Sequence, residues 1–186
     1  YSEFGNFEVN ITLPENYTLV ATGECLTPGE LSDNKTVTSD TLLASSKQLK
    51  TVRFTASDVH DFAWFASKRW GYETKKLKVG DEEISLRVVG AEPDRKDLDH
   101  IETAIRYYSG NVGTYPYSHA TVVHGELKAG GGMEYPMITL CDFMSEEVIV
   151  HEVGHNWFYG ILANNERVYP WMDESINSYY EQEAMR

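Results

Sequence analysis

Hydrophobic and polar residues alternate from Phe7 to Leu13, where Phe7, Val9, Ile11 and Leu13 are interleaved by Glu8, Asn10 and Thr12. A period of two predicts a strand with one buried face. Pro14-Glu15-Asn16 reads as a turn and Thr18–Thr22 as the strand pairing back onto the first. Residues 27–50 are polar and rich in Ser, Thr, Asp and Asn, as expected of loops or short edge strands. Alternation returns at Thr51–Thr55, and Asp61–Ser67 is a continuous apolar run of the kind found in an interior strand. The first third therefore predicts an all-β unit.

Beyond Trp70 two periods mix. Thr74–Val79 and Ile84–Val89 predict a hairpin joined by Gly80-Asp81-Glu82-Glu83. Pro93 and Asp94 signal a helix start, Leu98, Ile101, Ile105 and Tyr108 form one helical face, and Gly110 is the expected stop. Ala120–His124 reads as a short buried strand. Met133–Cys141 reads as another, assigned to an edge because Pro136 lacks a ladder donor. Ser145 can cap the next helix, with Glu146 and Glu147 at the positive end of its dipole. That helix is expected to end near Gly160, and Asp173 to begin the last one, which runs to Arg186. The fold class is α+β, a β-unit followed by strands mixed with helices.

With 186 residues the chain can hold one domain or parts of two, at about 100–200 residues per domain. Its formal net charge of −13 argues against nucleic acid or an anionic membrane surface as partner and favours cationic groups such as a peptide amino terminus. No apolar run approaches the roughly 20 residues of a membrane-spanning segment. No signal-peptide pattern opens the chain at Tyr1, which leads directly into a strand, so compartment stays open. Cys25 and Cys141 have no framework spacing and read as unpaired thiols.

The chemistry concentrates in HEVGHNW, His151 to Trp157. On a helix His151 and His155 lie one turn apart on one face, so two imidazoles can converge on one metal ion. Glu174, in WMDES at the start of the next helix, supplies a third ligand and leaves the fourth position for water. Glu152 borders the same face and is placed to act as general base. Burying Glu152 and Glu174 among Val148, Ile149, Val153, Trp157 and Phe158 without a metal or partner would be costly. Ser178 and Glu181 fall on the face of Glu174, where either could hydrogen-bond a ligand histidine or face solvent. His60, His100, His119 and His124 lack ligand spacing. Upstream, Ala129-Gly130-Gly131-Gly132-Met133-Glu134-Tyr135-Pro136 is either an ordinary glycine-rich loop or an edge strand to which an extended peptide can add, with Glu134 near its terminal ammonium.

In GGMEYP, HEVGHNW and the WMDES glutamate, in this order and spacing, the chain resembles the aminopeptidase-N-like family of zinc metallopeptidases, gluzincins with a thermolysin-like catalytic domain. VGTYPYSH, FTASDVHDFAWFAS and NFEVNITLPENYTLVATGE extend the likeness over nearly the whole chain. The resemblance implies one Zn2+ per chain held by His151, His155 and Glu174, with Glu152 as general base. It also implies Glu134 as anchor for the free amino terminus of a peptide substrate, with Gly131, Gly132 and Met133 lining the edge strand. Tyr135 stands where the family usually has asparagine. Residues 1–66 would be the C-terminal part of an N-terminal β-domain, and 67–186 the first half of the catalytic domain. In the family a downstream tyrosine stabilises the oxyanion and a helical domain closes the cleft. This chain ends twelve residues after Glu174. The expectation is a truncated zinc metallo-aminopeptidase that binds zinc, lacks its C-terminal domains as partners, and turns over slowly, since an oxyanion donor contributes about 10²–10³ in rate. Two other readings stand beside it: a zinc endopeptidase without an amine anchor, and a non-catalytic interaction module.

Overall fold

The computed structural model describes residues 2–28, 48–128 and 130–186. The expectation of loops or edge strands over 27–50 lies mostly outside them. The described elements are strands β1 (Gly5–Pro14), β2 (Thr18–Ala21), β3 (Glu24–Cys25), β4 (Leu49–Val59), β5 (Trp64–Ser67), β6 (Gly71–Val79) and β7 (Glu82–Gly90), then helix α1 (Asp97–Asn111). Strands β8 (His119–His124), β9 (Gly132–Met133) and β10 (Ile138–Cys141) follow, then helices α2 (Glu146–Gly154) and α3 (Ile176–Ala184). The class is α+β, as expected.

β1, β4 and β3 form an antiparallel sheet, and β2 pairs with β5. The expected β1–β2 hairpin is therefore wrong: β1 pairs along its length with β4, from Gly5↔Val59 to Pro14↔Leu49. The reason is visible in β2, all four of whose residues are buried. Leu19 and Ala21 pack into the β-unit core with Ile11, Val52 and Phe54, while Val20 packs against Val89, Val123 and Ile138 of the neighbouring sheet. Such a strand has to lie between two layers. The same division explains Asp61–Ser67, which is not an interior strand. Phe62 and Ala66 serve one core and Ala63 and Phe65 the other, while β5 itself covers only four residues with Trp64 exposed.

The five-stranded sheet has the order β6-β7-β8-β10-β9, with β7, β8 and β10 parallel. β6 and β7 form the expected hairpin, tightened to the two residues Gly80 and Asp81 with Gly80 at φ 60°. α1 is the crossover from β7 to β8. Its predicted stripe, Leu98, Ile101, Ile105 and Tyr108, is fully buried against Leu86, Val88, Val122 and α2, and the helix runs past Gly110 to Asn111. Met133–Cys141 is not one edge strand. It folds into the antiparallel pair β9–β10, with Pro136 in the turn and Met137 at φ 65°. β10 is interior, and β9 is the edge. No helix among the described residues is long and apolar enough to cross a membrane, and both cysteines are free.

His119 ties the β-unit to this sheet. It is buried on β8, with Nε2 donating to Gly23 O at 3.0 Å and Nδ1 accepting from Thr121 Oγ1 at 3.1 Å in the tautomer that satisfies both. Burial, reinforced by the nearby Arg87 charge, lowers its pKa to about 4. The folded pKa lies below the unfolded one, so the unfolded chain takes up the proton first. Stability from this group is full above the ordinary value of 6.5 and is lost as pH falls toward about 4. From about pH 7 to about pH 5 the loss should be roughly 2 kcal/mol. Urea unfolding at both pH values should show the wild type losing roughly 2 kcal/mol more than His119→Gln over that interval. An identical pH response in the variant would exclude this role.

Candidate metal centre

α2 starts where Ser145 Oγ accepts from Val148 N at 3.2 Å, with Glu146 and Glu147 in the first turn. Regular helix stops at Gly154 rather than near Gly160. A wide turn follows over Asn156–Ile161, with Gly160 N donating to His155 O, and Phe158 leaves helical values at ψ 46°. The last helix is likewise entered through a wide turn, Trp171–Ser175, that contains Asp173 and Glu174.

The spacing of His151 and His155 brings their Nε2 atoms 3.0 Å apart. Glu174 Oε2 lies 3.3 Å from His151 Nε2 and 3.9 Å from His155 Nε2. Both outer nitrogens are engaged: His151 Nδ1 donates to Glu181 Oε2 and His155 Nδ1 to Asp173 Oδ1, each at 2.8 Å. Of the two outer partners expected on α3, Glu181 makes the contact. Asp173, expected only to begin the last helix, has one sequence signal for this contact, its position beside Glu174. Asn177 has no such signal. Its Nδ2 donates to His151 O at 2.7 Å and its Oδ1 accepts from Tyr108 at 2.8 Å, which locks α1, α2 and α3 together behind the histidines.

This donor set fits zinc. With both Nδ1 atoms protonated toward carboxylates, two Nε2 lone pairs face each other, which only a cation between them can relieve. Ligand atoms about 2.0–2.1 Å from one tetrahedral ion sit about 3.3 Å from one another, close to two of the three separations found, with Glu174 to His155 longer at 3.9 Å. Without a metal, a proton is the cation available to that position. Burial opposes charge on His155, but Asp173, Glu134 and Glu152 outweigh it and raise its pKa to about 9. A divalent ion held there by His151, His155 and Glu174 would displace that proton.

Glu152 is buried and its Oε2 has no hydrogen-bond partner among the described residues. Burial raises its pKa to about 8 against the pull of His155, with Glu134 and Glu174 adding to the rise. Its carboxylate presses on β9: a Cβ on Gly132 would lie within 2.5 Å of three Glu152 side-chain atoms. Glu134 brings a carboxylate oxygen within 4.8 Å of His155 and Asp173 ligand atoms, and burial raises its pKa despite His155. Gly131, at φ 77°, turns the chain into β9, and Met133 pairs with Leu140. Tyr135 turns its ring toward Phe65, 6.0 Å away, in the apolar layer between sheet and β-unit. Of the other histidines, His60 and His119 are buried away from this cluster, His124 is exposed, and His100 lies 3.6 Å from Glu146.

Neither a protein-family model nor a curated protein sequence matches the chain. Among solved structures it is similar to an M1 zinc metallopeptidase from Deinococcus radiodurans, at 20% identity and a TM-score of 0.72, over 97% of this chain and 40% of that one. A mutant of the Deinococcus radiodurans enzyme bound to a Tyr-Ser-Ala substrate matches at 18% identity and 0.71, with the same coverage. A two-domain M1 zinc metallopeptidase mutant bound to L-arginine matches at 19% and 0.71, again over 97% of this chain and 40% of the other. The chain thus spans 40% of the length of these structures and has the fold of that part of an M1 zinc metallopeptidase.

Proposed function

We propose that the chain carries the zinc site of a metallo-aminopeptidase, which releases N-terminal residues from peptides. The observation supporting this most directly is the pair of facing Nε2 atoms, backed by Asp173 and Glu181 and closed by Glu174. His151, His155 and Glu174 would hold the ion, which when bound supplies a Lewis acid and a water of lowered pKa. Glu152, whose buried Oε2 has no partner among the described residues, is the group to take up a proton there and release it to the leaving amine. Glu134, on the turn following the edge strand, would hold the substrate ammonium, and the open edge of β9 would take its backbone. Glu174 is 55% exposed, so water reaches the metal side freely, and turnover by this chain alone is proposed to be slight.

Binding therefore tests the anchor better than rate does. The zinc-loaded chain should bind a tripeptide with a free amino terminus about 10-fold or more tightly than its N-acetylated form, the size of one charge-assisted hydrogen bond. Glu134→Gln should erase the difference. Equal affinity for both peptides in the wild type would favour an endopeptidase reading, and no zinc in the purified protein an interaction module.

A further inference from the structure

On the face of the five-stranded sheet away from α2, β7 points Ser85 and Arg87 toward the β-unit, while Ile84, Leu86 and Val88 face the helices. There a cavity of about 270 Å³ opens between β2–β3 and β6–β7, and Arg87, Ser85, Lys76, Cys25 and His119 line it. The other charges in its wall are engaged. Lys76 pairs with Glu83 at 3.2 Å, and Glu24 accepts from Ser118 Oγ. His119 has both nitrogens committed. Arg87 is left with no carboxylate in ion-pair contact among the described residues; the acidic groups acting on it are the Tyr72 phenol and the Cys25 thiol. Arg87 is half-buried, and that desolvation lowers its guanidinium pKa.

A largely desolvated cation facing a cavity, with no counter-charge among the described residues, is costly unless an anion enters. We infer that this cavity binds a small oxyanion, a carboxylate or a phosphate, on the planar fork of Arg87 with the Ser85 hydroxyl beside it. The anion would sit in the seam between the β-unit and the catalytic-side sheet and join them.

The test is thermal unfolding at constant ionic strength in phosphate, acetate or chloride. With phosphate at about 20 times a millimolar Kd, the melting temperature should rise about 4–7 °C over chloride; acetate raising it equally would identify the carboxylate as sufficient, and a smaller rise the phosphate as preferred. The rise should persist in His155→Ala, since the cavity lies across the sheet from the metal position, and vanish in Arg87→Met. In chloride, Arg87→Met should melt no lower than wild type, because a half-buried charge with no ion-pair partner among the described residues is gone. No oxyanion effect in the wild type, an effect confined to chains with an intact metal site, or an equal effect in Arg87→Met would each overturn the inference. Should Arg87→Met fail to fold, calorimetric titration of phosphate into the wild type decides: saturable one-to-one heat supports the site and its absence overturns it.

Discussion

His155→Ala should abolish stoichiometric zinc binding, where the wild-type chain should hold one ion. Structural zinc sites yield about 10–16 kcal/mol over four ligands, so each ligand is worth about 10²–10³ in affinity. Here the loss should be at the upper end. His155 is the more buried of the pair and brings Asp173 with it, and its removal leaves that carboxylate buried without a partner. Asp173→Asn should retain zinc with an affinity about 10–100-fold lower, the usual cost of losing an outer hydrogen bond to a ligand histidine. Competition against a chromophoric chelator measures both, and metal analysis of the purified chains gives the stoichiometry. Zinc held equally well by His155→Ala would sink the proposed site and the function built on it.

Gly154→Ala, one residue before that histidine, should destabilise the protein by about 2–5 kcal/mol, combining overpacking with loss of a buried hydrogen bond. The position is helical, so the added methyl costs nothing in backbone conformation and by propensity alone would help. What forbids it is space. A Cβ there would lie 2.2 Å from Asn177 Oδ1 and 2.4 Å from the Tyr108 hydroxyl. These two groups are hydrogen-bonded to each other, and Asn177 also holds His151 O. α1 and α3 thus meet α2 over a single hydrogen atom. In urea unfolding, Tyr108→Phe should cost less in the Gly154→Ala background than alone, because the hydroxyl it removes is one of the obstacles. Strict additivity of the two changes would show that the helices part elsewhere.

These residues also mark how far the sequence could be read. The α1 stripe, the Ser145 cap and the HEVGH face were legible because each follows from spacing within one element. Periodicity reports which face is buried but not what covers it. β1 alternates cleanly and still pairs with β4, and Asp61–Ser67 is apolar throughout because successive residues serve two different cores. In the site, the two histidines and Glu174 could be placed from separation along the chain. Asp173 and Asn177 could not, since their roles depend on how the wide turn Trp171–Ser175 aims α3 at α2. Arg87 was invisible for the same reason: on an alternating strand an arginine reads as solvent-facing until the β-unit is laid over it.

Asn156 has one more consequence. Its Oδ1 accepts from Met137 N at 3.0 Å and its Nδ2 donates to Val153 O at 2.9 Å. One amide thereby fastens the turn that carries Glu134 to the C-terminal end of α2, where His151 and the capping His155 sit. If Glu134 holds an ammonium, the span from it to the metal position is a ruler with both marks cut into one piece, and no hinge between them lets its length drift.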